Sequence, residues 1–423
     1  MSKKTIYDID IRGKRVLVRC DFNVKIRDGV IVDDSKLKKS LNTIEKLVSD
    51  GAKVILCSHL GRPDGKPVPN LSLSIVAERL SDLLECDVKF ADDDNVISSN
   101  VKEMVYYLEE KEIILLQNLR YNIGETECDD NFAKNLASLG EIFVNDAFGT
   151  LHRKHASNLG VTKYIKDCVI GHLVESELRE IENLKRDVTN KRVIVLGGVK
   201  IGALDIEYML NNFDTIMLGD PIAYDFLKAQ GHYMGGCSVN EYNIEKAKEI
   251  MKLAYEIGTK IVLPKDIRGI DRDLIYKNIF VEEIYEDFRG RDIGDETIKN
   301  FCEIIKNAEL VVWRGTVGKY KIPECQKGTN SILKAMKDSP AKTCCGGGTT
   351  SEIAYTLGMP LDYISSGGGA LLEVFNGNDI PSLNAILDKE GQVSGEQKNL
   401  DILSLEEAEE YLKTLEEHVE LSI

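Results

Sequence analysis

Three arginines occupy the same kind of place in this chain, each just after a short apolar run. Arg62 ends SHLGR after VILC (54–57), Arg120 lies in NLRY after IILL (113–116), and Arg153 lies in NDAFGTLHRKHAS after IFV (142–144). His59 shares the first of these strand ends with Arg62, and His152 and His155 flank Arg153. An earlier run, VLVRC (16–20), is followed by Asp21 and Asn23. A guanidinium offers a planar fork of donors that matches the oxygens of phosphate or carboxylate. A single arginine serves a surface salt bridge equally well, and a single histidine is as often structural as functional. Three arginines at successive strand ends read instead as one anion site. The chain holds 54 basic and 70 acidic residues, a net charge of −16, which argues against general binding to nucleic acid or anionic lipid. The anion is a small one, met in a specific cleft.

The second half carries glycines where the first carries arginines. LGGVK (196–200) puts two glycines and Lys200 directly after a strand, and GGGTT (346–350) follows another and opens a helix. Ser366–Gly369 repeats that design. Glycine lets a backbone approach a phosphate closely, and the N–H groups of a helix N-terminus favour an anion. Tight turns also need glycine, so each triplet alone is a weak signal. Three in one half point to a phosphate site.

These residues need strands that end together at one edge. The apolar runs named above alternate with amphipathic stretches at Ser40–Asp50, Ser74–Leu84 and Asn131–Leu139. Continuous apolar strands separated by helices predict parallel sheets covered on both faces. A second set, VIVL (193–196), TIML (215–218), KIVL (260–263), LVVW (310–313), TCC (343–345) and YIS (363–365), predicts another such sheet. The fold class is therefore α/β, with two doubly wound parallel-sheet (Rossmann-like) lobes joined by a long bridging helix and hinge. The 423 residues divide as 1–170, a bridging helix at 171–187, 188–387, and an acidic tail at 388–423. In the tail, SLEEAEEYLKTLEEH (404–418) reads as a capped helix. A further short helix is expected at Ala370–Asn376. No self-similarity links the halves. None of the ten cysteines lies in a CxxC pair, so buried reduced thiols are expected. Without a signal-peptide-like start or an apolar run of membrane-spanning length, the expected compartment is the cytoplasm.

DFNV, SHLGRP, NLRY and DAFGTLHRKHAS, in this order and spacing, resemble the phosphoglycerate kinase family. LGGVK, LGMP, ISSGGGALLEVFNG and the bridging helix extend the resemblance to about residue 387. It implies a reversible phosphoryl transfer between ATP and the carboxylate of 3-phosphoglycerate, giving ADP and 1,3-bisphosphoglycerate, with Mg²⁺ assisting. On that resemblance Arg62, Arg120 and Arg153 grip the 3-phosphate, while Asp21, Asn23 and His59 orient the hydroxyl and carboxylate. Phe22, Leu60 and Gly61 line the same substrate site. Lys36 and Lys200 are the catalytic cations, and Gly347, Gly348, Thr349 and Thr350 cradle the nucleotide phosphates with Lys200. Residues 1–170 become the acid-binding lobe and 188–387 the nucleotide-binding lobe. No residue is assigned as a protein ligand to metal. Family members are usually monomers.

Several positions depart from the family pattern. DDSKL puts Lys36 where the family has arginine, and GGGTT puts Thr349 where it has a carboxylate. VWRGT carries Arg314 for asparagine, and Lys321 replaces an acid that accepts the ribose hydroxyls. Leu204 replaces a second lysine, and the glycine triplet of the adenine pocket reads Gly219-Asp220-Pro221. Two other readings follow: a relative with a changed phosphoryl donor, such as another nucleotide or inorganic polyphosphate, and a non-catalytic binder of 3-phosphoglycerate.

Overall fold

The computed structural model describes residues 3–198 and 206–389. The first lobe begins with β1 (Arg15–Arg19), whose alternate side chains are apolar on both sides. Val16 and Val18 join one buried cluster and Leu17 another, so helices must cover both faces of the sheet. An antiparallel hairpin of β2 (Lys25–Arg27) and β3 (Val30–Asp33) leads into the helix Ser35–Ser49. Then come β4 (Lys53–Cys57), β5 (Val88–Ala91), β6 (Ile113–Leu116), β7 (Ile142–Asn145) and β8 (Asp167–Ile170). They form one parallel sheet of order β5-β6-β4-β1-β7-β8. The chain leaves β1 for β4 on one side and later returns for β7 on the other. Connections therefore diverge around β1, opening a crevice beyond the carboxyl ends of these strands.

The second lobe repeats the plan with β9 (Arg192–Leu196), β10 (Thr215–Leu218) and β11 (Lys260–Val262). After a three-stranded antiparallel insert of β12 (Asp266–Ile270), β13 (Tyr276–Phe280) and β14 (Arg289–Ile293) come β15 (Leu310–Arg314), β16 (Lys342–Gly346) and β17 (Tyr363–Ser365). The parallel order is β11-β10-β9-β15-β16-β17, with the divergence between β9 and β15.

The helix His172–Lys185 joins the lobes, burying Val174, Leu178, Ile181 and Leu184 along one stripe. Its first turn is tied to the first lobe, because Asp146 Oδ1 accepts the Leu173 N–H at 2.9 Å and the Val174 N–H at 3.3 Å. Farther along, Glu177 accepts the Ser366 N–H at 2.7 Å and the Ser365 hydroxyl at 2.8 Å, both from the second lobe. After the helix Gly368–Asn376 the chain returns to the first lobe, where the Leu387 N–H donates to the Cys168 carbonyl at 3.1 Å. The part of the expected tail beyond Lys389, including 404–418, lies outside the described residues, as do Lys200 and Leu204. All ten cysteines are free thiols. No helix among the described residues is long and apolar enough to cross a membrane.

Candidate active site

Arg120, Arg153 and Arg62 meet over the crevice of the first sheet. Burial lowers the Arg120 guanidinium to about 10, and the charges of Arg153, Arg19 and Arg62 add to the effect. Arg153 is lowered the same way, by burial and then by Arg19 and Arg62 against the opposing pull of Asp21. Cations that disfavour one another's charge in a shared pocket are what an anion would relieve. Arg120 donates to the Gly61 carbonyl at 2.7 Å, and its Nε is buried without a partner. Gly61 sits at φ +61, in the left-handed region, so its type is required. Its N–H donates to Asn23 Oδ1 at 2.9 Å, binding the loop after β4 to the loop after β1.

Beneath these arginines lies a buried polar layer. Arg19, fully buried at the end of β1, donates through Nη2 to His59 Nδ1 at 3.1 Å and through Nε to Ser157 Oγ at 2.7 Å. Arginine has no acceptor, so Nδ1 must accept and the His59 proton stays on Nε2. Burial and the charge of Arg19 hold His59 well below its ordinary value, so the ring is neutral. The Asp21 carboxyl is buried, which alone would raise it. Lys36 Nζ, 2.8 Å from Asp21 Oδ2, is the main group that outweighs that penalty and holds it at about 2. Phe22 N–H donates to Ser58 Oγ at 2.8 Å, and Leu60 is clasped by Asn118, whose Nδ2 reaches its carbonyl at 2.7 Å. Glu125, fully buried, balances the layer by accepting the Ser157 hydroxyl at 2.7 Å and lying 3.9 Å from Arg19 Nη2.

The second lobe presents its loops at β9 and β15. A Cβ on Gly197 would lie 2.2 Å from the Thr316 carbonyl, and one on Gly315 only 1.9 Å from the Gly197 carbonyl. Both glycines are therefore fixed by this close approach. Gly347, at φ +108, caps the helix Gly348–Thr356, whose first residues Gly348 and Thr349 are exposed. Thr350 is buried and accepts the Gly315 N–H at 3.0 Å, so it braces the loop. The glycines after β17 have packing reasons of their own. A Cβ on Gly367 would come within 2.5 Å of Gly149 Cα, and one on Gly369 within 2.9 Å of the His152 ring. Burial, helped by Arg153 and Arg314, pushes that imidazole down to about 4. Just after β10, Asp220 is 5% exposed and its Oδ2 has no partner among the described residues. Burial raises its carboxyl to about 7 against the pull of Lys319 and Arg291.

Asp21, Phe22, Asn23, Lys36, His59, Leu60, Gly61, Arg62, Arg120 and Arg153 thus belong to one crevice, and Gly347 to Thr350 to one helix start. Arg19, Ser58, Asn118, Glu125 and Ser157 were not anticipated. Arg19 was visible only as the last residue of an apolar run, and no spacing rule sets it apart.

A family model described as phosphoglycerate kinase matches residues 6–378. The phosphoglycerate kinase of Clostridium kluyveri is 44% identical over 395 residues, covering 92% of this chain and 99% of that protein. That of Clostridium perfringens is 43% identical over 394 residues, with the same coverage of 92% and 99%. The solved phosphoglycerate kinase from Coxiella burnetii superposes with a TM-score of 0.75 at 30% identity, over 90% of this chain and 98% of that one. The structure from Pyrococcus horikoshii OT3 gives 0.72 at 27% identity, with coverage of 90% and 98%. The match spans both lobes, each with its crevice, and the chain belongs to the phosphoglycerate kinase family.

Proposed function

We propose that this protein is a phosphoglycerate kinase, moving the terminal phosphoryl group of ATP onto the carboxylate of 3-phosphoglycerate and back. The observation that carries the reading is the convergence of Arg62, Arg120 and Arg153 above a neutral His59 and an ionised Asp21. That is a site for a doubly charged phosphate with a donor and an acceptor for the rest of a small acid. The lobe up to Ile170 takes the acid, and the lobe from Arg192 takes the nucleotide at Gly347–Thr350 and Lys200.

The attacking carboxylate is already ionised, so no general base is needed. Its oxygen forms a bond to the γ-phosphorus as the bond to the β-phosphate oxygen breaks, and ADP leaves with that electron pair. The chain's work is positioning, charge neutralisation and exclusion of water as the lobes close. Lys36 and Lys200 are the cations assigned to that charge. Mg²⁺, carried by the nucleotide, would supply charge at its phosphates. Thr349 offers a hydroxyl where the family has a carboxylate, and no three His, Cys, Asp or Glu side chains among the described residues gather to hold a metal. The protein side does not fit a resident ion, and no step is assigned to one. The enzyme acts as a cytoplasmic monomer.

A second reading, a donor other than ATP, is favoured by the unpartnered Asp220 carboxylate, since the base pocket of the family is lined there by glycine. The test is 3-phosphoglycerate-dependent turnover with MgATP, MgGTP and polyphosphate in parallel. Efficient turnover with MgATP supports the first reading; turnover confined to another donor replaces it. Binding of the acid with no turnover on any donor overturns the kinase reading.

A further inference from the structure

Arg314 ends β15 at the point where the connections of the second sheet diverge, and its carbonyl accepts the Gly197 N–H at 3.0 Å. The next residue, Gly315, is bonded to Thr350 on the first turn of the helix Gly348–Thr356. Arg314 therefore stands between the two phosphate-type loops of this lobe. Its guanidinium is half-buried, yet it has no hydrogen bond or ion pair among the described residues. Two groups feel its charge. One is Glu373 on the helix Gly368–Asn376, whose Oε2 already accepts Asn378 Nδ2 at 2.6 Å. The other is His152 of the first lobe. An arginine fork partly removed from water and left without an acceptor among the described residues is a site for an anion, and its charge reaches His152 of the first lobe from the end of β15.

The anions of the reaction are few. The phosphate of the acid is served by Arg62, Arg120 and Arg153, while the ammonium of Lys36 is held on Asp21 Oδ2 at 2.8 Å. We propose that Arg314 contacts the phosphoryl group in flight, supplying from the second lobe the forked positive contact that Lys36 does not make. The proposal rests on the kinase reading above. In a loose transition state the charge spreads over three equatorial oxygens, so a planar fork gains most there and little in the ground state.

The test compares the wild-type protein with Arg314→Asn and Arg314→Lys, using turnover with MgATP and 3-phosphoglycerate and the melting temperature as a check on folding. A second measurement is the fluorine NMR spectrum of the complex with MgADP, 3-phosphoglycerate and aluminium fluoride, a mimic of the moving group. Losing a preorganised charged donor lowers kcat by about 100-fold in Arg314→Asn. The KM for 3-phosphoglycerate stays within about two-fold, as expected for an interaction made only in the transition state. Arg314→Lys retains part of the rate, added guanidinium restores part of it to Arg314→Asn, and the fluoride complex weakens. A folded Arg314→Asn enzyme with unchanged kcat, or one altered only in KM, overturns the proposal. If the wild-type protein itself does not turn over, the kinase reading falls separately. The fluoride complex then still decides on Arg314, because equal affinity in wild type and Arg314→Asn removes it.

Discussion

Lys36 stands on the first turn of the helix that follows the β2–β3 hairpin, and its single ammonium is engaged by Asp21. A lysine makes point contacts, whereas an arginine at the same place could hold Asp21 with one arm of its fork and reach into the cleft with the other. Lys36→Arg is therefore expected to raise kcat by up to about 10-fold, with the KM for 3-phosphoglycerate little changed. Steady-state kinetics of the single variant check this, and an unchanged or lower kcat would show that Lys36 is not limiting. The arginines of the crevice, Arg62, Arg120 and Arg153, were legible in the chain because they lie in the segments that follow strands. Arg19 was not, because a fully buried arginine within a strand is told from its apolar neighbours only by its partners. Those partners come from distant segments, with His59 40 positions away and Ser157 138 positions away. Glu125 hid in the same way in a polar stretch, although it is the counter-charge that lets Arg19 be buried at all.

At the scale of elements, the bridging helix depends on one acid. Asp146 caps its first turn from the end of β7, and burial raises this carboxyl from its ordinary value to about 7. Between about pH 4 and pH 7 the unfolded chain has released a proton that the folded protein keeps. The stability from this group is thus complete below that window and is lost as pH rises through it, by at most about 4 kcal/mol. Asp146→Asn keeps an oxygen for the Leu173 N–H and removes the titration. Its stability relative to wild type is expected to improve steadily from pH 5 to pH 8 in paired denaturant melts, and a pH-independent difference would refute the assignment. Taking differences between the two proteins removes the opposing effect of His152, which both share. The sequence was most readable where strands were continuous and apolar, as at 113–116, 215–218 and 363–365, and where the helix Ser74–Leu84 showed one clean stripe. The strands of the insert escaped notice for a physical reason. DIRGI, YKNIF and RGRDI are mixed in polarity, pair antiparallel, and take their order from one another rather than from a doubly covered sheet. β5 and β8 were missed because VKFA is broken by Lys89 and DCVI opens on a charge and leaves only three apolar residues.

For the whole molecule, the proposed mechanism asks two lobes to meet and part, and one contact between them is made of backbone. Gly367, at the start of the helix Gly368–Asn376, lies against Gly149 of the first lobe, where a Cβ would come 2.5 Å from one backbone atom and 3.1 Å from another. Gly367 has φ −141, a conformation any residue adopts, so alanine there would introduce no backbone strain. The two atoms nearest the added methyl are main chain of Gly149, which cannot swing aside as a side chain does, and the Phe148 ring lies 3.3 Å away. Gly367→Ala is therefore expected to hold the lobes apart without touching either crevice. Each ligand alone, titrated by calorimetry, should bind within about two-fold of wild type, while kcat falls by about 10-fold or more because the phosphorus and the attacking carboxylate no longer reach bonding distance. If kcat stays at the wild-type level, the contact between Gly149 and Gly367 does not belong to the reacting state. If 3-phosphoglycerate binding alone is lost, the methyl acts through Asp21, which lies beside Gly149, rather than through closure. The two outcomes separate a hinge defect from a pocket defect by which constant moves.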